Sequence, residues 1–209
     1  ELAVLLKYSS YSRLLRVFAY CFRFYRAIKQ RVSIKRSSED HPHETIPSGA
    51  GRGLSVMELN SAETTIVRTI QRQAFRREMA ELQGGKEVPA TSPLRSLNPL
   101  LDDRGLLRVG GRLGLAYLKY DQRHPIILPK GHHITKLIIR REHERMLHAG
   151  SEAVLSAVRQ KYWPLSARSS IKGLIRQCMR CNRVSPRTTS YLMGQLPPAR
   201  VNVQSPFLS

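Results

Sequence analysis

Four residues in the last third of the chain have the types and the spacing of a metal site. His143 and His148 are five positions apart, and Cys178 and Cys181 enclose two residues in the stretch IRQCMRCNR. A Cys-x2-Cys knuckle points two thiolates at one cation, and the 29 residues between His148 and Cys178 give the chain room to fold back. Tetrahedral zinc prefers imidazole nitrogens and thiolates. The sequence therefore predicts one zinc ion bound by all four residues.

Each pair taken alone has another explanation. A Cys-x2-Cys sequence is also found as a redox pair or as two buried thiols, and a lone histidine is most often a surface residue. The two pairs together, in a region with no other cysteine, favour zinc. Four protein ligands leave no coordination position for water, so we expect the metal to be structural and not catalytic.

A catalytic zinc site is the third interpretation of the histidines. Glu142 and Glu144 flank His143, and zinc protease helices also combine His with Glu. The protease motif spaces its histidines four apart, on one helix face, whereas His143 and His148 are five apart. This spacing argues against a metal hydrolase.

Short helices are predicted to position the ligands. Apolar residues at helical spacing predict a helix over 132–147, and the stretches SEAVLSAVRQKY and ARSSIKGLIRQC predict two more. Tyr162-Trp163-Pro164 is expected at the end of a helix. A single aromatic without neighbours makes a poor nucleic-acid face, so Trp163 is expected in the core of a small domain rather than as a base-stacking platform. We predict a three-helix zinc-binding domain over 131–187.

The residues before this domain are predicted to form helices, a linker and a small sheet. Residues 1–32 contain a basic amphipathic helix over 11–32, which either binds a membrane surface or nucleic acid, or packs its apolar stripe on a core. Its apolar positions are Leu14, Leu15, Phe18, Phe22 and Tyr25. Residues 33–54 are expected to be a flexible linker in which His41 and His43 are solvated.

Residues 55–99 are predicted to form a long helix and a connector. Ser55 and Glu58 fit a capping box, Gly84-Gly85 ends the helix, and Ile66, Ile70, Phe75 and Met79 supply core residues over 56–83. Residues 100–130 predict two or three short strands, with a hairpin around Gly105 to Leu113. The expected fold class is mostly α with a small β-hairpin extension.

The charge of the chain calls for a polyanionic partner. Lys and Arg number 35 against 15 acidic residues, for a net charge of +20. Nucleic acid is the leading candidate, although the same charges also suit a solvated face or contacts to other domains. Three cysteines suit a reducing compartment, nucleus or cytoplasm, and no apolar run is long enough for a membrane span. The candidate phosphate contacts are Arg140, Arg141, Arg168, Lys172, Arg176, Arg180 and Arg183.

The region from Arg141 to Arg183 resembles the His-His-Cys-Cys zinc-binding domain of retroviral and retrotransposon integrases. The flanks YSSYSRLLRVFAYCFRF, LRSLNPLLDDRGLLRVGGRLG, YDQRHPIILPKGHHITKLII and LMGQLPPARV resemble the BEL/Pao retrotransposon polyprotein between ribonuclease H and the integrase core. The resemblance implies zinc ligands at His143, His148, Cys178 and Cys181. It also implies binding to element DNA ends and support of integrase multimers.

The resemblance does not imply that this chain catalyses integration, and we expect it to be inactive as a polynucleotidyl transferase. Integrase chemistry uses Mg²⁺ held by acidic residues of a separate domain, and no Asp or Glu follows Cys181 here. We expect 188–209 to be a linker toward a missing catalytic core, residues 1–32 to be a remnant after ribonuclease H, and the whole to be a polyprotein fragment. The alternative function is a zinc-stabilised protein-interaction module with no DNA role, in which the zinc unit mediates self-association.

Overall fold

Helices dominate the fold, and one small sheet lies among them. The computed structural model describes residues 3–37, 53–111, 113, 116–186 and 192–202. The helices are α1 (Ala3–Leu6), α2 (Tyr11–Ser37), α3 (Val56–Ala74), α4 (Arg76–Gln83), α5 (Tyr120–Arg123), α6 (His133–Arg145), α7 (Ser151–Arg159), α8 (Ala167–Gln177), α9 (Met179–Val184) and α10 (Pro198–Val201). The strands are β1 (Pro99–Leu101), β2 (Leu107–Val109), β3 (Ile126–Leu128) and β4 (Tyr162–Pro164). The predicted fold class is confirmed.

Helix α2 packs on the core through its first half only. Leu14 and Leu15 are buried, and Phe18 is partly buried against the same core. Tyr25 is 63% exposed, so the predicted apolar stripe continues onto an exposed surface. None of the helices within the described residues is long and apolar enough to cross a membrane.

The predicted linker over 33–54 starts later than expected. Helix α2 continues through Ser37, so residues 33–37 are helical. Most of the remainder, including His41 and His43, lies outside the described residues. For that remainder the linker stays a prediction.

The single helix predicted over 56–83 is two helices that meet at Phe75. Ser55 and Glu58 form the predicted capping box at the start of α3, and α4 ends before Gly85, whose φ is +70°. Phe75 leaves the helical region with φ −127° and ψ 39°. A straight helix presents one apolar face, whereas the break lets Phe75 and Met79 pack into a different cluster from Ile66 and Ile70.

The four strands form one sheet in the order β1-β2-β3-β4. Strands β1 and β2 are an antiparallel hairpin that turns through Gly105, at φ +70°, and β2 pairs antiparallel with β3. Strand β4 pairs parallel with β3, with Ile126 opposite Tyr162. The stretch Tyr162–Pro164 is therefore a strand and not the helix end that the sequence predicts. Helices α6 and α7 form the crossover between β3 and β4.

The sheet is buried on both faces because successive strand residues point to opposite sides. Ile126, Leu128 and Tyr162 belong to the main cluster, which also contains apolar residues of α2, α3, α6, α7 and α8. Ile127 and Leu107 belong to the second cluster, around Phe75 and Met79. The predicted zinc-binding domain therefore shares its core with the preceding helices, while the domain boundaries themselves stay sequence-based predictions.

Trp163 does not occupy the position that the sequence predicts. It is only partly buried and packs on the second cluster, with the guanidinium carbon of Arg159 4.5 Å from its ring centroid. The aromatic residue in the main core is its neighbour Tyr162, which is 1% exposed.

Gln71 connects α3 to the two middle strands. Its side chain is fully buried, and its amide nitrogen donates to the carbonyl oxygens of Leu107 at 2.8 Å and Ile127 at 2.7 Å. Its amide oxygen accepts from the backbone N–H of Leu107 at 2.9 Å. One side chain thus satisfies three backbone groups that the short β2–β3 pairing leaves open.

Candidate metal centre

The first ligand lies in the last turn of α6. The side chain of His132 accepts a hydrogen bond from the N–H of Ile134 and caps the helix at its start. Ile134, Leu137 and Ile138 then anchor the helix in the main core. His143 follows on the buried side and is 1% exposed.

A left-handed turn brings the second ligand back to the first. Helix α6 ends at Arg145, two residues earlier than predicted, and Leu147 and His148 adopt φ values of 51° and 63°. The N–H of His148 donates to the carbonyl oxygen of His143 at 2.9 Å. His148 Nδ1 then lies 3.1 Å from His143 Nε2. The turn explains why a five-residue spacing suits this site and a continuous helix does not.

The two cysteines sit where α8 passes into α9. Cys178 is the residue between the helices, with φ −77° and ψ 115°, and Cys181 lies in α9. Cys178 Sγ is 3.2 Å from His148 Nδ1, and Cys181 Sγ is 3.3 Å from His143 Nε2. The four ligand atoms all lie within 4.8 Å of one another.

These distances fit one tetrahedral ion. With zinc–nitrogen bonds of about 2.0 to 2.1 Å and zinc–sulfur bonds of about 2.3 Å, neighbouring ligand atoms are roughly 3.3 to 3.8 Å apart. The nitrogen pair at 3.1 Å and the nitrogen–sulfur pairs at 3.2, 3.3 and 3.9 Å are close to that range. All four positions are filled by protein atoms, so the site suits a single structural zinc.

The local electrostatics favour the metal-binding forms of two ligands. The backbone N–H of Cys181 faces Cys178 and lowers the pKa of the Cys178 thiol. Burial raises the pKa of the Cys181 thiol. Burial, reinforced by His148, lowers the pKa of His143 and keeps its imidazole neutral. A doubly charged cation shifts both thiols to thiolates on binding.

Glu142, one of the two glutamates that flank His143, has a structural role. Its buried carboxylate accepts from Arg141 at 3.0 Å, and Arg145 pairs with its other oxygen at 2.6 Å. Both carboxylate oxygens are therefore engaged in ion pairs that hold the last turns of α6.

The predicted phosphate contacts are of two kinds. Arg141 is engaged in the fold, because it pairs with Glu142 and lies over the ring of Tyr11 at 4.9 Å. The other six are exposed on the elements that carry the site: Arg140 on α6, Arg168, Lys172 and Arg176 on α8, and Arg180 and Arg183 on α9. Arg168 also pairs with Glu152 at 3.4 Å, an exposed contact of little strength.

Sequence reasoning missed the two buried polar residues of α3. Gln71 and Glu63 look like the solvent face of a helix, and both are buried at the junction with the sheet. A period count marks both at core positions, since Glu63, Ile66, Ile70 and Gln71 lie on one helical face.

Comparison with known proteins identifies the region around the four ligands. The family model described as the integrase zinc binding domain matches residues 131–187. These are the same bounds that the sequence predicts for the zinc-binding domain. No curated protein and no solved structure matches the chain.

Proposed function

We propose that this chain, which carries an integrase-type zinc-binding domain at 131–187, binds nucleic acid through the helices that its zinc ion holds together. The observation that carries the proposal is the arrangement of α8. Arg168, Lys172 and Arg176 are spaced four residues apart, lie on one face of the helix and are exposed. Cationic groups at this spacing suit the phosphates of a nucleic-acid backbone.

The zinc ion fixes where this basic face points. Helix α8 ends at Gln177, next to Cys178, so its last turn is tied through the metal to the end of α6. Its other side is anchored by Ile171, which is fully buried in the main core. The three cations are thus displayed by a helix that is held at both its end and its middle.

The biological setting that we propose is a retrotransposon of the BEL/Pao type. The support is the sequence resemblance of the flanks and the match of residues 131–187 to the integrase zinc binding domain. In that setting the nucleic acid is the end of the element DNA, and the chain contributes binding without catalysis. The proposed lack of catalysis is supported by the zinc site, because its four protein ligands leave no position for a reactive water.

Self-association is a second candidate function. Three large apolar residues near the zinc ligands are exposed: Leu147 at 88%, Met179 at 67% and Val184 at 84%. Apolar side chains grouped around a small site are typical of a contact surface between proteins. In this version the zinc ion shapes a protein interface, and the basic residues flank it.

A binding experiment on the zinc-loaded chain separates these functions. Fluorescence anisotropy with a labelled DNA duplex is compared for the parent chain and for a variant with Arg168→Gln, Lys172→Gln and Arg176→Gln. We expect the α8 variant to bind more weakly and to lose about 0.9 units of salt slope for each phosphate contact removed. The matched control removes three exposed cations near α4: Arg76→Gln, Arg77→Gln and Lys86→Gln.

The outcomes point in different directions. Equal weakening in both variants would mean that only net charge matters and that α8 makes no defined contact. No DNA binding by the parent, with a dimer that persists in high salt by sedimentation, would favour the self-association function. A strand-transfer assay with Mg²⁺ tests the proposed lack of catalysis, for which we expect no product.

A further inference from the structure

A second basic site lies outside the zinc-binding domain, in a groove between α2 and α3. The groove has a volume of about 510 Å³ and is open to solvent. The side chains that line it are cationic or small and polar, with Met57 as the exception. They are Arg26 of α2, Asn60, Ser61, Thr64, Thr65 and Arg68 of α3, and Arg104 of the β1–β2 turn.

Three arginines from three separate elements line this groove. Arg26 donates to Ser61 Oγ at 3.1 Å, and Arg68 donates to the carbonyl oxygen of Arg104 at 3.3 Å. In the described part of the chain none of the three arginines forms an ion pair with a carboxylate. Their positive charge is therefore available to an anion in the groove.

The carboxylate in the first turn of α3 does not cancel this charge. Glu58 is held by Arg23 through two hydrogen bonds, at 2.7 and 2.6 Å. These bonds lower its pKa from the ordinary value of 4.5 to about 2. The negative charge of Glu58 is thus balanced by Arg23 and does not offset the positive charge of Arg26, one turn further along α2.

The floor of the groove offers polar contacts between the arginines. Asn60, Thr64 and Arg68 follow one another at four-residue spacing, so they form a row along one side of α3. Among the described residues no hydrogen bond engages the side chains of Asn60 or Thr64. Hydroxyl and amide groups beside arginines are the usual partners of phosphate oxygens in nucleic-acid complexes.

The opposite side of α3 makes the row rigid. Ile66, Val67 and Ile70 are buried in the main cluster, and Gln71 is bonded to the sheet. The groove is therefore a fixed surface, and binding an anion there costs little ordering of the backbone.

We propose that this groove binds the phosphodiester backbone of nucleic acid, without reading its sequence. The site goes beyond the proposed function, because it lies outside residues 131–187 and uses none of the α8 cations. A row of polar contacts between arginines suits successive phosphates of one strand better than a single phosphate group. The two basic surfaces then contribute separately to the salt dependence of binding.

The test compares three charge-matched variants of the whole zinc-loaded chain. The groove variant carries Arg26→Gln, Arg68→Gln and Arg104→Gln, and it is measured beside the α8 variant and the α4 control defined above. Anisotropy with the same DNA duplex is recorded over a range of salt concentrations. We expect the groove variant to reduce the salt slope by about 0.9 for each lost contact, and the α4 control to leave it unchanged.

Circular dichroism and zinc content show whether the groove variant still folds and binds zinc as the parent chain does. The three arginines are exposed or half-buried, so we expect both values to match those of the parent. A single substitution, Thr64→Val, then probes the floor without changing charge, and we expect it to weaken binding at constant salt slope. This readout separates a defined contact from general electrostatic attraction.

Two results would contradict the proposed nucleic-acid binding by the groove without contradicting the proposed binding by α8. One is a salt slope equal in the groove variant and the α4 control, with the α8 variant still defective. The other is loss of binding to phosphatidylserine vesicles with unchanged DNA binding, which would assign the groove to lipid headgroups. If the parent chain binds no DNA at all, both the groove and the α8 proposal fail.

Discussion

The hydroxyl of Tyr162 donates a hydrogen bond to the carboxylate of Glu63, across 99 positions of the chain. Tyr162 lies on β4, between the two ligand pairs, and Glu63 lies on α3, far upstream of the zinc-binding domain. Lys161 pairs with the other oxygen of the same carboxylate, and Tyr11 of α2 donates to the first. This buried polar cluster joins the N-terminal helices to the zinc-binding domain.

Removing the hydroxyl of Tyr162 should destabilise the whole chain. Tyr162→Phe leaves the buried carboxylate of Glu63 with one donor fewer, which costs about 1 to 3 kcal/mol of unfolding free energy. Urea denaturation of the zinc-loaded protein measures the loss. The control is Tyr117→Phe, since the Tyr117 side chain is fully exposed. Equal stability of the two variants would contradict a stabilising role for the cluster.

Zinc removal should unfold the helices around the site. We expect elemental analysis to give one zinc ion per chain and circular dichroism to show lost helicity after a chelator is added, since structural zinc supplies folding free energy. Cys178→Ser should prevent binding and reproduce the spectrum of the chelated protein. Cys21→Ser, at an exposed cysteine outside the cluster, should change neither. A folded, zinc-free parent protein would refute the structural role of the metal.

Gln71→Leu should be strongly destabilising although it replaces a polar side chain with an apolar one in the core. The substitution leaves two carbonyl oxygens and one N–H without their partner, at about 1 to 3 kcal/mol for each group left unsatisfied. Thermal unfolding measures the effect. Gln73→Leu, on the exposed side of the same helix, serves as the control and should be close to neutral. A neutral Gln71→Leu would show that the three backbone groups find other partners.

Leu147→Gly should stabilise the protein. Leu147 adopts a left-handed conformation that costs about 1 to 2 kcal/mol for a residue with a Cβ, and its side chain is 88% exposed. Glycine removes that strain, and after the entropy it adds to the unfolded chain we expect a net gain of roughly 0.5 to 1 kcal/mol. Chemical denaturation of zinc-loaded protein provides the measurement.

The neighbouring residue offers a matched control for this substitution. Met146 has φ −84°, so Met146→Gly relieves no strain and should destabilise the chain. The opposite signs of the two changes distinguish relief of backbone strain from a general effect of glycine in the turn. Destabilisation by both would contradict the left-handed turn.

The metal site was largely predictable because the types and the spacing of its four residues are enough to indicate zinc. Two histidines and two cysteines near one another in sequence leave few alternatives to zinc, and the apolar period of Ile134, Leu137 and Ile138 places the first histidine on a helix. The turn after Arg145 was not predictable, since leucine at position 147 is not typical of a left-handed conformation and the apolar period continues through it. Only closure of the site requires it.

The connection between the helices and the sheet was not predictable from periodicity. Strand β4 is three residues long and ends in a proline, so its two aromatic residues, although common in strands, are too few to identify it. The helical period places Glu63 on the core face of α3, but it does not reveal the buried hydroxyl of Tyr162, 99 positions away, that Glu63 contacts. Phe75 fits the helical pattern on both sides of it, and the helix breaks there because two separate clusters must be filled. Each of these features depends on a partner far away in the chain.

The parallel pairing of β3 with β4 has a consequence for the order of folding during synthesis. The middle strands and α3 leave the ribosome long before Tyr162–Pro164, so their apolar faces lack the edge strand that completes them. Contacts between such distant residues form late and slow the folding reaction. The nascent chain therefore passes through a stage in which the N-terminal helices expose apolar surface, and a chaperone that binds such surface has its target there.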